Sequence, residues 1–121
     1  MQVRTFRDLI AWQKAMELAA QVYKVTAQMP PNEQFGLTAQ MRRAAVSVPS
    51  NIAEGFGRQK RLELLRFLRM ARGSLMELQT QTILTRQLEL AVIPPELDDL
   101  QSEADRVLQG LIRSLESRAD V

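Results

Sequence analysis

Positively charged side chains are concentrated in the middle of the chain, and this indicates a surface suited to phosphate groups. Residues 42–72 contain eight basic side chains and two acidic ones, whereas residues 73–121 contain four basic and nine acidic side chains. Lysine and arginine bind nucleic-acid phosphates through charge and hydrogen bonds. The candidate nucleic-acid-binding residues selected on this basis are Arg58, Lys60, Arg61, Arg66 and Arg69.

The same charge asymmetry fits a second role. The basic middle of the chain could pair with the acidic C-terminal part, in the same subunit or in a neighbouring one, and so direct assembly. Two interpretations therefore stay open. In one, an oligomer binds RNA or DNA through a basic patch that symmetry repeats. In the other, the protein is a scaffold or adaptor whose charges serve only self-assembly or partner docking.

Catalytic chemistry has little support in the residue types. The chain contains no cysteine and no histidine, which removes disulfides, the usual zinc sites, thiol nucleophiles and histidine acid–base catalysis. A carboxylate such as Glu54 beside arginines could act as an acid or base, but no paired carboxylate or nucleophile motif accompanies it. We therefore expect no catalytic residue, no metal and no cofactor, and a protein that is not an enzyme.

A second group of polar residues repeats at steps of three or four positions. On a helix, with about 100° between successive residues, these side chains form a stripe beside the apolar face. Buried polar groups need hydrogen-bond partners, so the stripe predicts a network that sets helix register or a subunit contact. A ligand site and a solvated charged face are the alternatives. The members of the predicted network are Arg43, Ser47, Asn51 and Glu54.

The elements that would position these residues are four helices. Apolar residues repeat at steps of three and four in four segments, and proline or glycine lies in each break between them. The first predicted helix is about 8–29, with an end by about Gln28 because Pro30 follows Met29. The second starts between Pro31 and Phe35 and ends near Gly57, and the others are about 60–88 and 95–117. Short breaks between amphipathic helices are typical of an antiparallel up-down bundle. We expect an all-α four-helix bundle in which residues 1–121 form a single domain.

Proline and glycine predict local features of the second and third helices. Pro49 lacks a donor for the Ala45 carbonyl, so we expect the second helix to be kinked near Pro49. Gly55 and Gly57 fit the C-terminus of that helix, where glycine adopts a left-handed conformation at little cost. Gly73 in mid-helix predicts the close approach of another helix, within the subunit or across an interface, with a flexible hinge as the alternative.

Apolar residues are more numerous than one bundle interior requires. Those of the first helix cover two faces, and Trp12, the only tryptophan, is expected to fill the core or an interface. Phe35 and Leu37 are expected to return the chain to the core. Self-association would bury the remaining apolar surface, so we expect a homo-oligomer.

Three stretches of the sequence resemble one known family. The runs FGLTAQMRRAAVSVPSNIAEGFGR at 35–58 and RFLRMARGSLMEL at 66–78 look like the bacterial 23S ribosomal RNA intervening-sequence proteins. The run FRDLIAWQKAMELA at 6–19 fits the same family. The resemblance implies a small cytoplasmic bundle that assembles as a ring, a homopentamer. A related branch serves diversity-generating retroelements, which implies nucleic acid and a reverse transcriptase as partners. The family provides no catalytic residue to carry over.

Composition is that of an ordinary globular protein. Hydrophobic residues make up 45% of the chain and charged residues 25%, with a formal net charge of +2. The polar segment from Met1 to Arg7 lacks the features of a secretory signal. No apolar run approaches the roughly 20 residues needed to span a bilayer. We expect a cytoplasmic protein without membrane contact.

Overall fold

The computed structural model describes residues 2–118, and the predicted all-α class is confirmed in this range. The four long helices are α1 Ile10–Thr26, α2 Leu37–Gly57, α3 Arg61–Gln87 and α4 Pro95–Ser117. Two short 3₁₀ helices, Phe6–Asp8 and Pro31–Glu33, precede α1 and α2. The observed helices lie within a few residues of the predicted ones and fit a four-helix bundle.

The N-terminal segment forms a capped 3₁₀ turn before α1 begins. The Thr5 side chain accepts a hydrogen bond from the Arg7 backbone N–H at 2.9 Å. The Asp8 carboxylate accepts from the backbone N–H groups of Arg4 at 2.8 Å and Thr5 at 3.1 Å. These two bonds lower the pKa of the Asp8 carboxyl. Leu9 is extended, so α1 begins at Ile10, slightly later than predicted.

The core is formed mainly by small and aliphatic side chains. In α2 the predicted apolar face is buried from Leu37 to Ile52, and only Phe56 is partly exposed. In α1 a single face is buried, and the second apolar face, with Met16 and Tyr23, is exposed. Trp12 is half-buried against the core, and its ring meets that of Phe6 edge to face at 5.2 Å.

The prediction that Phe35 returns the chain to the core was wrong. Its side chain is 90% exposed, whereas Leu37 is buried. Phe35 lies in the turn before the first residue of α2. The helical repeat that orients Leu37 towards the core therefore does not extend to Phe35.

Contacts between helices pair the start of one helix with the end of another. In the α2–α3 pair, Met41 meets Thr85 and Ser47 meets Ser74. In the α3–α4 pair, Arg61 at the start of α3 contacts Leu115 near the end of α4. Within residues 2–118 the helices in contact are α1 with α2, α2 with α3, α3 with α4, and α1 with α4. Such contacts are those of antiparallel neighbours around one core.

The α2 helix continues through Pro49, which is buried inside it. Without an N–H group, Pro49 cannot donate a hydrogen bond to the Ala45 carbonyl. The helix nevertheless runs without interruption from Leu37 to Gly57. The kink near Pro49 stays a prediction.

Glycine in the α2–α3 region has a role different from the predicted one. Gly57 is the last residue of α2, as predicted, but neither glycine is left-handed, and the residue with a left-handed backbone in this region is Gln59, at φ 60°. A Cβ atom at Gly55 would lie 2.6 Å from the Phe67 Cβ atom, so glycine permits the close contact of α2 and α3. At Gly73 a Cβ atom would meet nothing within 4 Å, so the predicted close approach there does not come from the described part of this chain.

The Gly55 contact predicts a loss of stability in Gly55→Ala. The new methyl group would force α2 and α3 apart, and such overpacking costs about 1–3 kcal/mol. Gly110→Ala is the matched control, because Gly110 lies inside α4 with open space around its Cα. There alanine should stabilise the protein by about 0.5–1 kcal/mol. Urea unfolding measures both variants, and equal stabilisation by the two substitutions would contradict the close contact.

Candidate nucleic-acid interface

The turn between α2 and α3 positions three of the five candidate basic residues. Arg58 follows the last residue of α2, Lys60 precedes α3, and Arg61 is the first residue of α3. Lys60 has an extended backbone and its side chain does not cap the helix. The first N–H groups of α3 add a partial positive charge to that of these side chains.

This end of the bundle contains an open cavity of about 390 Å³ whose lining includes four basic residues. Its four charged lining residues are all basic, and no carboxylate is among the lining residues. The cavity is lined by Arg4, Gly55, Phe56, Gln59, Lys60, Arg61, Leu64, Leu115 and Arg118. We call the group Arg4, Lys60, Arg61 and Arg118 the basic end.

Sequence reasoning missed two members of the basic end. Arg4 precedes the first helix and Arg118 follows the last one, so no local spacing connects them with Lys60. The predicted antiparallel topology is the information that could have identified these two residues. In an antiparallel four-helix bundle the start of the first helix and the end of the fourth lie at the same end as the turn between helices two and three.

Arg61 is held in place by a carbonyl group. Its guanidinium donates a hydrogen bond to the Leu115 backbone oxygen at 3.3 Å, and its side chain is half-buried. Leu115 lies near the C-terminus of α4, where carbonyl groups lack helical partners. Arg61 thus satisfies one of these carbonyls and stays fixed at the wall of the cavity.

The other three candidates form ion pairs with carboxylates of the same chain. Arg58 pairs with Glu54 at 3.1 Å, and Arg66 pairs with Glu63 at 3.2 Å. Both guanidinium groups also lie over the Phe67 ring, at 5.2 and 4.8 Å from its centroid. These ion pairs are exposed, so their contribution to stability is about 0–1 kcal/mol.

Arg69 belongs to a set of contacts that join α3 to α4. It pairs with Glu116 at 2.7 Å, and Arg72 pairs with Asp105 at 3.0 Å. Arg86 pairs with Asp98 near the other end of the two helices. Much of the acidic charge of α4 is therefore balanced by the basic charge of α3 within one chain.

The structure separates the four residues of the predicted polar network. The Asn51 side-chain amide donates to the Ser47 carbonyl at 2.8 Å and to the Ser47 hydroxyl at 2.9 Å. The Ser47 hydroxyl also lies 2.8 Å from that of Ser74. This half-buried cluster connects α2 to α3. Ser74 was not predicted as a member, because its partner lies on another helix.

The remaining two residues of the predicted network lie apart from this cluster. Glu54 pairs with Arg58 on the exposed surface of α2. Arg43 lines a small cavity of about 130 Å³ together with Gln40, Ala44 and Glu77. The polar stripe of the sequence therefore comprises a hydrogen-bonded cluster, an ion pair and a residue that lines a cavity.

Residues 2–118 present neither a metal-binding cluster nor a membrane-spanning helix. No group of three or more carboxylate, histidine or cysteine side chains in this range is placed to hold a metal ion. None of the helices in the same range is both long enough and apolar enough to cross a membrane.

The four helices and the cavity lined by basic residues define an all-α bundle protein with a basic end. The model of the 23S rRNA-intervening sequence protein family matches residues 7–113. The chain therefore belongs to this family.

Among solved structures, the fold is similar to a protein of unknown function from the S23 ribosomal protein family of Bacteroides thetaiotaomicron VPI-5482. The two share 18% sequence identity with a TM-score of 0.75, over 86% of this chain and 96% of that chain. At this identity the similarity shows the fold alone. No curated protein matches the chain.

The Asn51 cluster predicts the effect of Asn51→Ala. The substitution removes two hydrogen bonds to Ser47, each of which contributes about 0.5–1.5 kcal/mol. Ser50→Ala is the control, because Ser50 is exposed on the same helix and the change brings a comparable gain in helix propensity. In urea unfolding, Asn51→Ala should be less stable than Ser50→Ala by about 1–2 kcal/mol. Equal stability of the two variants would show that the cluster contributes nothing.

Proposed function

We propose that this protein is a non-enzymatic helical-bundle protein that binds nucleic acid through its basic end. The observation that supports this function is the cavity at that end, whose four charged lining residues are all cationic. Three separate parts of the chain contribute them. A fold that brings like charges together incurs a repulsion that a bound anion would relieve.

Phosphate is the anion that this arrangement fits best. Arginine and lysine donate charge-assisted hydrogen bonds to phosphate oxygens. The uncapped first turn of α3 adds backbone N–H groups and the positive end of a helix dipole at the same place. Both contributions act on the phosphate and not on the bases, so we expect binding with little dependence on sequence.

The paired arginines extend this surface. Arg58, Arg66 and Arg69 are exposed, and the carboxylates beside them hold them weakly. A phosphate that approaches can replace the carboxylate of an exposed pair, because the charge-assisted hydrogen bonds are of the same kind. The basic end then provides the primary contact and Arg58 a secondary one. Arg66 and Arg69 lie at helical steps between Leu62 and Gly73, so they provide contacts only where self-association leaves this face of α3 uncovered.

A homo-oligomer would repeat the basic end and increase the total affinity. Exposed apolar residues on two helices support self-association: Ile10, Met16 and Tyr23 on α1, and Leu62, Met70, Ile83 and Leu84 on α3. These helices do not pack against each other, so their apolar faces belong to different sides of the bundle. If the apolar face of α1 in one copy packs against the apolar face of α3 in the next copy, the contact is heterologous, and heterologous contacts can close a ring. A ring fits the pentamer that the family resemblance implies.

A second candidate function is supported by the ion pairs between α3 and α4. Arg69, Arg72 and Arg86 are each matched by a carboxylate of α4. In this alternative the charge asymmetry of the sequence serves helix packing and assembly, and the protein is a scaffold or adaptor for other proteins. The cationic cavity would then have no phosphate to bind.

Nucleic-acid binding is tested by Lys60→Glu, with Lys24→Glu as the control. Both lysines are exposed, and Lys24 lies near the end of α1, away from the basic end. Fluorescence anisotropy with RNA and DNA strands over a series of salt concentrations should show weaker binding by Lys60→Glu. The slope of log affinity against log salt should fall by about 1 for each phosphate that the variant no longer neutralises. If both variants bind equally, the basic end is not the binding site.

Self-association is tested by Gly73→Leu. No atom lies within 4 Å of a Cβ position at Gly73, so the single chain accommodates leucine, whereas a second copy packed on this face of α3 would clash. We expect sedimentation velocity to show an oligomer for the wild type and a smaller species for Gly73→Leu. The control Gly110→Leu, on α4, should keep the wild-type mass. A wild-type monomer at micromolar concentration would contradict the proposed assembly.

A further inference from the structure

We propose that the cavity of the basic end binds the terminal phosphate of a nucleic-acid strand, in preference to phosphates inside the strand. This inference rests on the proposed function and specifies the ligand of the same site. It concerns a phosphate monoester, which has more charge and more free oxygen atoms than the diester that links two nucleotides.

The charge of the cavity favours a monoester. Arg4, Lys60, Arg61 and Arg118 all line it, and the lining contains no acidic side chain. A terminal phosphate carries a charge of about −1.5 to −2 near neutral pH and has three strong acceptor oxygens, whereas an internal phosphate carries a single charge. Four cations around one cavity therefore match the monoester better than the diester.

Within residues 2–118, the carboxylates close to the basic end in sequence do not line its cavity. Glu54, Glu63 and Glu116 each pair with an arginine that does not line the cavity. The Asp8 carboxylate accepts hydrogen bonds from the backbone N–H groups of Arg4 and Thr5. Among the described residues, the charged side chains that line the cavity are therefore all cationic.

The cavity is open to solvent and large enough to admit the end of a strand. Its walls come from the segment before α1, the end of α2, the start of α3 and the end of α4. A strand end can enter this open cavity, and its preference over an internal phosphate rests on the charge of the lining. The cavity volume of about 390 Å³ is of the size that holds small ligands.

Apolar residues complete the site. Phe56, Leu64 and Leu115 line the same cavity beside the cations, and Phe56 is partly exposed. An aromatic ring next to a phosphate site offers a stacking surface for a terminal sugar or base. The mixed lining therefore fits a terminal nucleotide better than inorganic phosphate alone.

The test uses short RNA strands of one sequence, labelled internally, that end in a 5′-phosphate, a 3′-phosphate or hydroxyl groups only. We expect one phosphorylated end to bind the full-length protein about tenfold more tightly than the hydroxyl ends, through added charge-assisted hydrogen bonds. The preference should increase between about pH 5 and 7.5, because the second ionisation of a phosphate monoester has a pKa of about 6.

Two variants connect this preference to the cavity. Arg4→Gln and Arg118→Gln should each reduce the preference for the phosphorylated end, and Lys24→Gln should leave it unchanged. Arg4 and Arg118 lie outside the four α-helices, so circular dichroism should show an unchanged helix content. A preference that persists in both variants would place the terminal phosphate elsewhere and overturn the proposal.

The outcomes distinguish this inference from the proposed function. Equal binding of all three strands, abolished by Lys60→Glu, would overturn the terminal-phosphate site and leave nucleic-acid binding in place. Binding of no strand at low salt would overturn both. Protection of the protein from thermal unfolding by inorganic phosphate, without binding of any strand, would show a free-phosphate site and also overturn the assignment to a strand end.

Discussion

The close contact between α2 and α3 at Gly55 is the constraint on which the rest of the structure depends. A side chain at this position would collide with Phe67, so glycine sets the distance between the two helices near their common turn. The same register brings Ser47 to Ser74 and Met41 to Thr85. It also determines where Lys60 and Arg61 lie relative to α4, since both follow directly from the turn. The basic end is thus a consequence of helix packing.

Basic residues in this protein have two different uses. Those along α3 meet carboxylates of α4 and join two helices of the bundle. Those at the basic end line a cavity to which residues 2–118 contribute no carboxylate. The total charge of a segment does not separate these uses, because a paired arginine and a free one contribute equally to it. Balanced charges join neighbouring helices, whereas the concentrated charges at the basic end are the ones on which the proposed anion binding rests.

Local patterns predicted the helices well and the turns less well. Apolar residues at steps of three and four identified all four helices, because burial of one face is a property of each helix by itself. Phe35 was placed in the core, but it lies in a turn, where no repeat orients the side chain. Gly55 was predicted to end α2, although the reason for glycine there is a contact with Phe67, which is distant in sequence.

For the candidate site, the sequence by itself determined the excess of basic residues around the α2–α3 turn and the absence of histidine and cysteine chemistry. Only the tertiary structure decided which arginines meet carboxylates and which line the cavity. It also added Arg4 and Arg118 to Lys60 and Arg61. The physical reason is that residue types and local spacing define a helix and its faces. The partners of a charge depend on which helix ends come together in space.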